Sequence, residues 1–374
     1  MAASFFSAGT PATGSGRVDW IEAFRGIAAL GVVLWHTSNY IEPYGAGLTG
    51  RLTWPASIFG VDLFFIVSGF VMVLATSRGS LPPSGPDFFA RRVIRVLPLY
   101  AIATLCLVAL NPATAPTWQH ILRSLLFLPA MESAGAPVYR FPVLNVGWTL
   151  NYEMYFYLVF ALSLLFGRWR WAALLGWIFL AVFVIPAAFG SNELPFLASE
   201  LHYPFAHAWP NLLTNPIILL FACGVLCGLL HASGWKLGGE RLSLLLRSGA
   251  LLLVALQYAS SFRVTHSVVG TGLTLLPLVV AFTITQPCRF APLGPLRYLG
   301  AISFALYVTH PLVIQAMGLP LHQGIAGLTS MLLVVAVSLL VAALAHHLVE
   351  QPLARHLHHT LRASQSKART MKPA

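Results

Sequence analysis

The chain has 374 residues, of which 57% are hydrophobic and only 9% charged, and its formal net charge is +11. Water-soluble domains carry about 25% charged residues, so a soluble protein of this length is excluded: its core would lack a polar coat. The basic residues fall between long apolar runs, which favours an anionic membrane surface over nucleic acid as their counterpart.

In chain order, residues 1–16 are small, polar and rich in Gly, Ser and Thr. They read as a disordered tail with no cleavable signal peptide. A transmembrane helix needs about 20 largely apolar residues, and ten such runs follow: 20–40, 58–76, 90–110, 146–166, 171–189, 212–231, 242–260, 267–285, 297–317 and 327–349. The expected fold is all-α, a polytopic integral membrane bundle of about ten transmembrane helices over 17–355, ending in a basic tail at 356–374. No fixed-period repeat is visible, so a solenoid or duplicated transporter half is not indicated. With the N-terminus in the cytoplasm, 18 of the 22 Lys and Arg residues fall on the cytoplasmic side, and Arg51, Arg123, Arg140 and Arg263 fall outside. That bias predicts both termini in the cytoplasm. The longest outer segments, 111–145 and 190–211, are rich in Pro, Trp and Tyr and suit a lid or vestibule. Cys106, Cys223, Cys227 and Cys288 form no CxxC pair and are expected to be buried thiols.

Ionisable residues within spans are costly and mark functional sites. The first span carries Arg25 and His36, eleven residues apart. At 100° per residue they diverge by about 20°, so both leave one helix face, about 16 Å apart along the axis. Asp62 lies near the outer end of the second span, with Ser68 and Gly69 at its middle, where small residues let helices approach closely. The third span opens with Arg91, Arg92 and Arg95, the fourth holds Glu153, and the ninth holds Ser303, Tyr307 and His310-Pro311. By depth these residues form two layers. His36, Asp62, Glu153 and His310 lie outward, and Arg25 with the three arginines lies toward the cytoplasm. A basic inner layer suits a phosphate-rich ligand, which Arg binds bidentately. An outer imidazole near carboxylates suits proton removal from a hydroxyl.

Plainer roles stay open for each. Arg91, Arg92 and Arg95 also serve as positive-inside anchors, and Glu22 offers Arg25 an ion pair at i,i+3. His36 also fits as a satisfied packing residue, His310-Pro311 as a helix bend, and Asp62 as a charge in the first turn of its helix. Glu350 reads as structural, and the cluster His356, His358 and His359 as a solvated tail rather than a metal site.

The motifs, taken together, resemble the membrane acyltransferase-3 family. Phe24-Arg-Gly-Ile-Ala-Ala-Leu-Gly-Val-Val-Leu-Trp-His36 is similar to that family's opening, Phe64-Phe-Ile-Val-Ser-Gly69 to its second-span pattern, and Arg91-Arg-Val-Ile-Arg-Val-Leu-Pro98 to its third-span arginines. Val146-Gly-Trp-Thr-Leu-Asn-Tyr-Glu153 resembles the exopolysaccharide O-acetyltransferase branch, and Ser303-Phe-Ala-Leu-Tyr-Val-Thr-His310 and Glu350-Gln-Pro352 resemble late motifs. Phe304 and Val308 depart from the residues common there.

The resemblance implies an acyl-CoA donor, acetyl-CoA being the expected one, bound as substrate with no permanent cofactor. The implied acceptor is a hydroxyl of a polysaccharide or a lipid-linked sugar precursor, and the implied setting is a bacterial inner membrane, beside polysaccharide-synthesis machinery. It makes His36 catalytic as general base, with Glu153 expected to hold its imidazole. Arg25 either contacts the donor or holds the charge balance. Arg92, Arg95 and Ser68 complete the donor-binding set, and Asp62 and His310 are acceptor-side candidates. No metal is expected. A covalent acyl-His36 route stays open, as do a secondary transporter of a glycan precursor or small anion and a scaffold subunit of a polysaccharide synthase.

Overall fold

The computed structural model describes residues 18–43, 47–77, 83–114, 116–129, 135–191, 205–286, 293–320 and 324–370. Among these the protein is helical throughout, with no β-strand. The helices are α1 (Asp19–Thr37), α2 (Gly47–Thr76), α3 (Gly85–Leu110), α4 (Trp118–Leu125), α5 (Gly147–Ser163), α6 (Arg170–Phe179), α7 (Ile185–Ala188), α8 (Ala208–Thr214), α9 (Ile218–Ala232), α10 (Glu240–Ser260), α11 (Gly272–Ile284), α12 (Leu293–Ala301), α13 (Ser303–Met317), α14 (Gly324–Ala345) and α15 (Gln351–Thr370).

By length and composition, six helical stretches among the described residues can cross a membrane: Gly47–Thr76, Gly85–Leu110, Gly147–Ala188, Ala208–Ala232, Glu240–Ser260 and Gly324–Leu361. The pair Gly294–Ala301 and Ser303–Met317, bent by 66° at Ile302, makes a seventh if counted as one span. The remaining apolar runs of the sequence take other forms. Helix α1 carries Asp19, Glu22 and Arg25 in its first two turns, and α11 has only 13 residues. The run Gly147–Ala188 is not one rod. The indole N–H of Trp177 donates to the Tyr155 hydroxyl at 2.9 Å, yet 22 residues of straight helix would hold them about 33 Å apart. The chain doubles back at Gly167, whose φ of 53° and ψ of −114° are open to glycine alone. Helices α10 and α11 also run back to back, with Gln257 Nε2 donating to the Gly270 carbonyl at 2.9 Å and Arg247 Nε to Thr285 Oγ1 at 2.8 Å.

In α2 and in Ala208–Ala232, 72% of the most apolar 18-residue window is buried inside the protein, against 22–28% in the other four stretches. Helices α2 and α9 are therefore the centre of the bundle, and the rest turn a broad face to lipid. Small residues set the central contact. A Cβ on Gly224 would lie 2.0 Å from the Ile66 carbonyl oxygen, and one on Gly69 would lie 2.2 Å from that of Phe221. Helices α1 and α2 repeat the device, Gly31 facing the Ala56 carbonyl and Gly60 that of Ala28.

One expectation changes. Cys227 is buried and Cys223 partly so, but Cys106 is exposed on the outer face of α3; an apolar run in a bilayer buries its side chains in lipid as readily as in protein. Cys288 and the tail 1–16 lie outside the described residues. The C-terminal segment, expected as a basic tail, continues as helix to Thr370, leaving the bundle through a π-helical turn at His346–Glu350.

Candidate active site

Helix α1 presents Arg25 toward a chamber among α2, α3, α5 and α13. On α5, Thr149, Glu153 and Tyr157 fall at i, i+4 and i+8, so one stripe of that helix lines the chamber. Helix α2 adds Ser68 and Phe64, α3 adds Arg92 and Arg95, and α13 adds Phe304 and Tyr307. The chamber encloses about 780 Å³, its open mouth included. Its walls are largely apolar, with polar groups confined to a few converging side chains, as small-molecule sites commonly are.

Glu153 is the acceptor at its centre. Ser68 Oγ donates to Glu153 Oε1 at 3.3 Å, and the Tyr157 hydroxyl donates a short hydrogen bond to the same oxygen. Arg25 pairs with Glu22, Nη1 to Oε2 3.2 Å, which realises the i,i+3 ion pair. The Arg92 guanidinium sits between the rings of Phe88 and Tyr157, 5.2 and 5.3 Å from their centroids. Among the described residues, Arg91, Arg92 and Arg95 have no carboxylate within ion-pair distance.

Arg25, Arg92 and Arg95 also line a second, wider cavity that opens at the basic end of the bundle and measures about 2,770 Å³ with its open mouth. Arg91, Arg297 and Arg355 stand around that vestibule, with Asp19, Glu22 and Glu350 as its acids. The three shared arginines form the neck between vestibule and chamber.

His36 leaves α1 on the face of Arg25, three turns further along. Its imidazole is held by α13: His36 Nδ1 and His310 Nε2 are 3.0 Å apart, with ring centroids at 5.0 Å. His310 has no solvent exposure, and Tyr307 of the chamber wall lies one turn before it. The expected contact from Glu153 to the His36 ring is therefore replaced. Glu153 is taken by Ser68 and Tyr157, and the second imidazole supplies the partner.

Asp62 is fully buried fifteen residues into α2, so it is not a first-turn charge. Its Oδ1 lies 2.6 Å from His266 Nδ1, and Thr271 Oγ1 donates a short hydrogen bond to Oδ2. This buried pair ties the 261–271 connection to the bundle centre, and Asp62 is not among the groups lining the chamber. Sequence reasoning missed Tyr157, Thr149 and His266. Tyr157 was detectable as the i+4 neighbour of Glu153; His266 sits in a short polar link that carries no periodic signal.

The described residues thus form a helical bundle with a part-buried imidazole pair, a carboxylate-centred chamber and an arginine neck. The chain matches the family model described as "Acyltransferase domain" over residues 18–347, and it belongs to this acyltransferase-3 family of multi-pass membrane proteins. It is similar to the Exopolysaccharide production protein ExoZ of Rhizobium meliloti (strain 1021), with 32% identity over 309 residues, covering 79% of this chain and 89% of the relative. No solved structure matches the chain.

Proposed function

We propose that this acyltransferase is a membrane O-acyltransferase. It moves an acyl group, acetyl in the simplest case, from coenzyme A to a hydroxyl of an exopolysaccharide or its lipid-linked precursor. The observation that carries the donor assignment is the arginine neck. Arg92 and Arg95 are part-buried cations with no carboxylate within ion-pair distance among the described residues, and charges removed from water need a counter-charge. The diphosphate of coenzyme A supplies one, in the planar geometry that guanidinium groups match. The acyl-pantetheine arm then extends into the largely apolar chamber while the nucleotide stays in the vestibule. Glu153 interacts electrostatically with Arg25 and Arg92 and so keeps the chamber from accumulating unopposed positive charge when empty.

In this mechanism His36 removes the proton from the acceptor hydroxyl as its oxygen bonds to the thioester carbonyl carbon. The C–S bond breaks, and the coenzyme A thiolate leaves and takes up that proton. The charge bias supports an orientation with both termini and the vestibule cytoplasmic, in a bacterial inner membrane. The similarity to a protein of exopolysaccharide production supports the acceptor class.

The donor reading is tested by comparing acetyl-CoA with acetyl-pantetheine, which lacks the phosphates. The wild type is expected to prefer acetyl-CoA strongly, and Arg92→Gln and Arg95→Gln to lose part of that preference. Equal use of both donors by the wild type would remove the phosphate assignment.

A further inference from the structure

The imidazole pair fixes which nitrogen of His36 is basic. His310 Nδ1 lies 3.0 Å from the Leu306 carbonyl oxygen. A carbonyl only accepts, so Nδ1 of His310 carries a hydrogen, and in the neutral ring the lone pair is on Nε2. His310 Nε2, now an acceptor, faces His36 Nδ1 at 3.0 Å, so His36 Nδ1 is the donor. Neutral His36 therefore has its basic lone pair on Nε2.

We infer that His310 is a positioning residue that selects the Nε2-basic tautomer of His36 and holds the imidazolium formed during transfer. The inference rests on His36 being the base. As the acceptor oxygen bonds to the acyl carbon, its proton passes to Nε2 of His36; the C–S bond breaks, and the thiolate then takes that proton back. While His36 is protonated, its Nδ1–H donates a charge-assisted hydrogen bond to His310 Nε2. In catalytic triads a carboxylate holds this place. A neutral imidazole does so here without a second buried charge, which is costly in a bilayer. The chamber's carboxylate, Glu153, is occupied by Ser68 and Tyr157.

The test measures acetyl transfer from acetyl-CoA to endogenous glycan in membranes bearing wild type, His36→Ala, His310→Leu or His310→Gln, with coenzyme A binding measured on each preparation. Leu removes the acceptor; the Gln carboxamide oxygen reaches where the ring Nε2 stood. The expected result is a kcat about 100-fold lower or worse for His310→Leu, an unchanged KM for acetyl-CoA, and recovery of about tenfold or more by His310→Gln. Wild-type kcat in His310→Leu beside an inactive His36→Ala overturns the inference and leaves the base assignment standing. Equal losses in His310→Leu and His310→Gln, with coenzyme A binding intact, overturn it as well, because the loss would then follow ring shape rather than an acceptor. Full activity of His36→Ala overturns the base assignment and this inference together.

Discussion

Arg92 is held on two sides by the Phe88 and Tyr157 rings, with no carboxylate within ion-pair distance among the described residues, so its guanidinium is oriented before any ligand arrives. Hydrogen bonds to charged groups contribute about 1.5–3 kcal/mol each. Arg92→Gln and Arg95→Gln are therefore expected to raise the KM for acetyl-CoA roughly 10- to 100-fold with a smaller change in kcat, read from initial-rate kinetics. A selective fall in kcat at unchanged KM would place these arginines in the chemistry rather than at the donor. Ser68 and Tyr157 both donate to Glu153, which makes the carboxylate a hub. Most residues of the candidate site are legible in the sequence, because Arg25, His36, Arg92, Arg95 and Glu153 are polar groups where polarity is expensive. The pairing was not legible. A helical period puts Arg25 and His36 on one face, but it cannot say that α13 rather than α5 delivers the partner of His36. That choice depends on how α12 and α13 bend at Ile302.

Helices α2 and α9 meet backbone to backbone through Gly69 and Gly224. Gly224→Val has no flexible neighbour to displace, since the obstruction is the Ile66 carbonyl. Overpacking of this kind costs about 1–3 kcal/mol or more, so the variant is expected to lower the unfolding temperature of the detergent-purified protein. An unchanged midpoint would show that the two helices separate more easily than this contact implies. At the same scale, Asp62 and His266 bind α2 to the link between α10 and α11. Removing one partner of a buried pair costs about 3–5 kcal/mol. Asp62→Ala is thus expected to unfold at a clearly lower temperature while the surviving folded protein keeps its KM for acetyl-CoA. A normal stability with a raised acceptor KM would instead make Asp62 an acceptor contact. Hydrophobic runs revealed where most helices lie, including the break between the runs 146–166 and 171–189 where the chain turns at Gly167, but not the 66° bend at Ile302, because apolar composition continues through Ala301-Ile302.

At the scale of the whole molecule, two joined cavities divide the labour: a vestibule at the basic end, and a chamber that ends at Tyr307, one turn from His310. The orientation proposed from the Lys and Arg bias sets that basic end toward the cytoplasm, the side of the proposed acyl-CoA donor. In a variant freed of its native cysteines, a cysteine at Arg123 is expected to react with an impermeant maleimide on intact cells, and one at Arg168 only after lysis. The reverse pattern would invert the bundle and separate the neck from its donor. The central claim is that this bundle transfers an acyl group with His36 as base. The most direct test incubates membranes with radiolabelled acetyl-CoA and the host's lipid-linked and polymeric glycan, comparing wild type with His36→Ala at matched protein levels and matched coenzyme A binding. Label is expected to enter the glycan with wild type alone; equal labelling by His36→Ala would contradict the claim.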